Sequence, residues 1–115
     1  MIDPRAWSMS EDRGPHSLEA HVKKLMGDLG LWGYHTRNSI GSERGWPDWT
    51  ILGPAGGLFR ELKSQRGQLS IDQRRVGSRL ERAGFDWAVW RPADLISGVV
   101  AAQLSRIAGH HKEAA

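Results

Sequence analysis

The stretch GWPDWTILGPAGGLFRELKSQ, residues 45–65, reads as a β-hairpin. DWTIL (48–52) is rich in β-branched and aromatic residues and makes one strand, with Pro47 at the entry, where a missing N–H costs least. GPAGG is turn material, and LFRELKS (58–64) makes the second strand. Alternation then puts Phe59, Glu61 and Lys63 on one face. Asp48 opens the neighbouring strand, so the hairpin can bring it near Glu61. Two carboxylates held together repel unless something neutralises them. A divalent cation does so, and an all-oxygen site without cysteine favours Mg²⁺ or Mn²⁺. A lysine alongside can handle a water molecule or the charge on a phosphate. By itself, Glu-x-Lys is common, and its plain alternative is a weak exposed ion pair.

The spacing on either side of the hairpin predicts a small α/β domain. Ser17 caps a helix to about Leu29, with Leu18, Val22, Leu25 and Leu29 as its apolar stripe and Gly30 beyond its end. LWGYHTR (31–37) is a strand, and NSIGSERG (38–45) a polar, mobile loop. SIDQ (70–73) matches a capping box and starts a helix to about Ala83. DWAVW (86–90) is a fourth strand, and Pro92 starts a last helix to about Ile107. The order α-β-β-β-α-β-α, with a meander followed by a helix and another strand, implies a mixed sheet flanked by helices. Residues 1–16 read as a polar arm that Trp7 and Met9 could dock, 17–95 as the core domain, and 96–115 as a C-terminal helix and loose tail.

The 115 residues suit one domain, 39% hydrophobic and 25% charged. No apolar run is long enough to cross a bilayer, and the N-terminus lacks the apolar core of a signal peptide. The absence of cysteine excludes disulfides and thiolate metal sites, and it fits a reducing compartment. The net charge is +3, yet residues 60–91 alone hold eight Lys and Arg against four Asp and Glu. A basic zone of that kind suits a polyanion, nucleic acid first, although a solvated helix face would look the same.

GWPD followed by ELK and then GQLSIDQ resembles the VRR-NUC branch of the PD-(D/E)xK nuclease superfamily, over roughly Ser17 to Asp94. The family's glycine, proline and aspartate fall on Gly45, Pro47 and Asp48, its Glu-x-Lys on Glu61 and Lys63, and its glutamine on Gln73. The resemblance implies a restriction-endonuclease-like αβββαβ core. It also implies a metal-dependent nuclease. Asp48 and Glu61 would bind the cation, the Leu62 carbonyl would add a ligand, and Lys63 would serve the attacking water or the phosphate. The helical glutamate of the family is best matched by Glu19, whose plain alternative is an acid complementing the helix dipole. Stand-alone members resemble Holliday-junction resolvases, which implies a homodimeric cutter of branched DNA in the cytoplasm of a bacterial or phage-infected cell. The apolar C-terminal helix (Leu95, Ile96, Val99, Val100, Leu104, Ile107) offers a surface for pairing. The rival reading is a DNA-binding or assembly subunit with the same fold and no turnover.

Gln73 has two roles open to it, as the capping side chain for Ser70 and as a polar group on the inward stripe with Val76, Leu80 and Ala83. Arg66, Arg74, Arg75 and Arg79, with Arg37 and Arg44 beside the Gly-rich loop, are candidates for DNA phosphate contact. Trp32, Trp46, Trp49, Trp87 and Trp90 read as core more than as a stacking platform, with Trp46 the exception because it sits within GWPD. The scattered His16, His21 and His35, and the tail pair His110 and His111, carry no metal spacing.

Overall fold

A computed structural model describes residues 1–36 and 43–109 of the chain. Arg37, Ser42, most of the loop from Asn38, and His110 and His111 lie outside the described residues. A short 3-10 turn (Pro4–Trp7) precedes α1 (Leu18–Asp28), β1 (Trp32–His35), β2 (Trp49–Gly53), β3 (Gly56–Leu62), α2 (Ile71–Arg82), β4 (Trp87–Trp90), α3 (Pro92–Ile96) and α4 (Val99–Ile107). The four strands lie in the order β1-β2-β3-β4. The first three form an antiparallel meander, and β4 returns through α2 to pair parallel with β3. This is the mixed α/β sheet with flanking helices and a C-terminal helical segment that the sequence predicts.

The local reasons are those of the sequence. The Ser17 hydroxyl accepts the Ala20 N–H at the start of α1. Ser70 and Gln73 exchange side-chain and backbone bonds in a full capping box at the start of α2. The hairpin turns tightly over Pro54 and Ala55, since Gly53 pairs with Gly56. Its tip docks on the end of α4, where Ala55 N–H donates to the Ile107 carbonyl at 2.9 Å.

One side of the sheet carries the main core. Trp49, Ile51, Leu58, Leu62 and Trp90 pack there against Leu18, Val22 and Met26 of α1 and Val100, Leu104 and Ile107 of α4. Arg60 points into this side at 1% exposure, and its charge is compensated. It donates to the Asp86 carbonyl (2.8 Å), Asp86 Oδ1 (2.9 Å) and Gln103 Oε1 (2.9 Å), and lies over the Trp90 ring. Gln103 Oε1 also accepts Trp90 Nε1–H, so one amide oxygen ties β3, β4 and α4 together. On the other side α2 closes onto β4. Gly77 lies so near Trp87 that a Cβ there would come within 2.4 Å of the indole.

Three expectations change. The last helix is two helices, because Gly98 adopts φ 92° and ends the first at Ile96. Val100, Leu104 and Ile107 are buried in the chain's own core, so the stripe expected to pair with a second copy is already covered within this one. Trp32 is not core: it is 58% exposed and stacks on Tyr34 on the outer face of β1. Strand bounds shift by one or two residues from those expected. Among the described residues no helix is long and apolar enough to cross a membrane.

Candidate active site

The hairpin register builds the site. Trp49 pairs with Arg60, so the next step places Asp48 across from Glu61. Asp48 Oδ2 accepts the Leu62 N–H at 2.7 Å, and its backbone carbonyl accepts the Thr36 N–H at 2.8 Å. One residue thus closes the ends of β1, β2 and β3 and holds a carboxylate against Glu61. Pro47 is fully buried beside it, and Gly45, at φ 84°, lets GWPD lie flat on the first turn of α2. A Cβ on Gly45 would come within 2.3 Å of the Asp72 backbone.

Glu61 is 1% exposed, and its Oε2 has no hydrogen-bond partner among the described residues. Burial, and then the hydrogen bond and negative charge of Asp48, push its pKa up to about 9, with Lys63 pulling the other way. Such a carboxylate is either protonated or matched by a cation. The parallel ladder reaches one residue past β3, where Lys63 N–H donates to the Trp90 carbonyl at 3.1 Å. Lys63 stands near enough to Glu61 and Glu11 for its charge to favour the ionised form of both.

Asp48, Glu61 and Leu62 wall a cavity of about 670 Å³ together with Glu19, Gln73, Arg44, Trp46 and Glu11. Six of the predicted site positions (Glu19, Arg44, Asp48, Glu61, Leu62 and Gln73) therefore meet in one cavity, and Lys63 lies beside it without walling it. Glu19 faces the cavity, and among the described residues its basic neighbour is His35, with Nδ1 3.9 Å from Glu19 Oε1. Gln73 Oε1 accepts the Ser70 N–H at 2.9 Å and the residue walls the cavity, while of its expected stripe Val76 and Leu80 are buried and Ala83 is exposed. Arg44 is exposed at the wall. Arg74, Arg75 and Arg79 line a separate cavity of about 410 Å³ on the outer side of α2. Arg66 lies over the Trp7 ring, 4.6 Å from its centroid. Trp46, 38% exposed, meets Phe59 edge-on at the cavity.

Sequence reasoning missed Glu11, His35 and Thr36. Glu11 belongs to the arm, which shows no periodicity, although an acid pair (Glu11, Asp12) before a helix is a visible signal. His35 stacks on Trp49 at 4.6 Å and ends β1 at the cavity, which only the β1–β2 register reveals.

A solved structure described as a VRR_NUC domain protein is similar to this chain, with a TM-score of 0.50, covering 64% of this chain and 69% of that one, at 22% identity. The fold is that of a VRR_NUC domain protein. No family model and no curated protein matches the chain.

The donor set fits a hard divalent cation. Two carboxylates are held close together, one buried oxygen lacks a donor among the described residues, and Leu62 borders the same space. Among the described residues no group of three or more His, Asp or Glu side chains is gathered tightly enough to hold a metal directly.

Proposed function

We propose that the chain is a metal-dependent endonuclease that hydrolyses phosphodiester bonds in DNA. The observation that carries this reading is the Asp48–Glu61 pair, with an unpartnered buried oxygen on Glu61 and Lys63 alongside. Asp48, Glu61 and the Leu62 carbonyl would hold Mg²⁺ or Mn²⁺, with Glu19 reaching it through water. When bound, such an ion supplies Lewis-acid polarisation of a phosphate oxygen.

The chain's own groups do the rest. Lys63 presents an ammonium to the attacking water and to the charge that builds on the phosphate oxygens. Asp48, fixed by the Leu62 N–H, keeps Glu61 in register with that lysine. Gln73 and Ser70 hold the first turn of α2 as a rigid polar wall. Arg44 at the cavity, with Arg66, Arg74, Arg75 and Arg79 further out, would meet the DNA backbone without reading bases. The finer reading is a cutter of branched DNA in which two identical chains each make one cut.

The test is cleavage of labelled duplex, flap, junction and single-stranded DNA with Mg²⁺, Mn²⁺ or EDTA. Asp48→Asn and Lys63→Ala are each expected to lower the rate by about 100-fold or more while the fold is kept. Wild-type rates in Lys63→Ala would remove the lysine from the mechanism. DNA binding with no cleavage in either metal would favour a non-catalytic subunit. A monomer on a cut junction would refute the paired reading.

A further inference from the structure

The N-terminal segment reaches the site. The first N–H groups of a helix have no partner within it. In α1 two of these are taken from upstream: Leu18 N–H donates to the Ser10 carbonyl (2.8 Å) and Glu19 N–H to the Glu11 carbonyl (2.9 Å). The same segment is anchored by Ala6, which is fully buried, and by Trp7 beneath the Arg66 guanidinium. Residues 10 and 11 are thus laid along the start of α1, and the Glu11 side chain is delivered to the cavity wall. There it lies within electrostatic reach of Lys63 and Asp48. Burial pushes its pKa up, and Lys63 draws it back.

The acids alone would mark no site. The independent observation is Glu61, 1% exposed, walling the same cavity with a carboxylate oxygen that nothing among the described residues satisfies. Buried oxygens of that kind call for an ion or water. The glutamate of α1 is turned to His35, whereas Glu11 feels both Lys63 and Asp48.

We propose that Glu11 is an outer carboxylate of the cation site opened by Asp48 and Glu61, meeting Mg²⁺ or Mn²⁺ through water while it keeps Lys63 in place. This rests on the metal-dependent reading above. Carboxylates outside the inner ring orient what the ion holds, and their loss typically weakens metal binding about 10- to 100-fold. The N-terminal segment is then a working part of the site.

The experiment is calorimetric titration of the full chain with MnCl₂, beside urea denaturation without metal. Glu11→Gln keeps the size and a side-chain oxygen and removes only the charge. It is expected to bind Mn²⁺ at least about 10-fold more weakly than wild type, with an unchanged or raised urea midpoint. Wild-type Mn²⁺ affinity in this variant overturns the proposal, and a lowered midpoint with unchanged affinity makes Glu11 merely structural. Glu11→Asp keeps the charge one methylene back and serves if the glutamine variant does not fold. It too must bind Mn²⁺ more weakly, and equal affinity is refuting. If wild type and Asp48→Asn titrate alike, the metal reading itself fails and takes this proposal with it. If only Asp48→Asn loses binding, Glu11 alone is excluded.

Discussion

Replacing Glu61 by Gln should change how stability depends on pH. In the metal-free protein burial and the Asp48 carboxylate hold the Glu61 pKa at about 9, against an ordinary 4.5. Between those values the folded chain keeps a proton that the unfolded chain has released. Stability is therefore fully present below pH 4.5 and is lost as pH rises toward 9. Each pH unit in that window is worth about 1.4 kcal/mol, so roughly 3 kcal/mol is lost between pH 4.5 and 7. That is a large share of the 5–15 kcal/mol typical of a whole domain, on the order of a third. Glu11, also raised by burial, adds to the slope in the same direction. A glutamine at position 61 carries no titrating proton and can donate to Asp48. Urea denaturation followed by Trp fluorescence, in EDTA, at intervals from pH 5 to 8 reads the effect. The wild-type midpoint should fall steadily with pH. The Glu61→Gln curve should be flatter and cross above it, the two being close at pH 5 and separated by about 3 kcal/mol near pH 7. A wild-type midpoint that is flat or rises across this range, or equal slopes in both proteins, would refute the strained carboxylate pair.

Three further outcomes follow from the packing. Gly45→Ala must place a Cβ 2.3 Å from the Asp72 backbone at φ 84°, and a loss of more than about 2 kcal/mol is expected by denaturation, with a change under about 0.5 kcal/mol refuting the contact. Asp86 accepts from both Arg60 and Arg106, which hold its pKa low despite burial, so Asp86→Ala strands a buried guanidinium and should cost about 3 kcal/mol. A urea midpoint equal to wild type would show that Gln103 and the backbone carbonyls suffice. Arg75→Ala and Arg79→Ala, on the outer face of α2, should each reduce the salt slope of DNA binding by about one without loss of fold. An unchanged slope would assign that stripe to solvent.

What the sequence revealed was local in origin. The hairpin was legible because Gly and Pro punctuate it, and the start of α2 because Ser70 and Gln73 stand three apart. Asp48 and Glu61 could be paired because antiparallel register follows from a short turn. The break at Gly98 was hidden by apolar residues that recur through it from Leu95 to Ile107. Trp32 looked like core because composition cannot say that α2 covers β4 and leaves the outer side of β1 bare. Glu11 was beyond reach for the same reason. Its position depends on hydrogen bonds to the start of α1 and on Ala6 being buried, neither of which has a pattern along the chain.

The loop after Lys63 is held from far downstream. Arg91 Nη1 donates to the carbonyls of Ser64 and Gly67, each at 2.7 Å, and Gln65 Oε1 accepts the Ala93 N–H at 2.9 Å. The strand that flanks Glu61 also arrives late, with Val89 opposite it. A nascent chain that has emerged only as far as α2 already contains both acids and the lysine, but neither the strand nor the guanidinium that steadies them. The groups that steady the hairpin's acids thus lie downstream of them in sequence, and a fragment stopping at α2 holds Asp48, Glu61 and Lys63 without their scaffold.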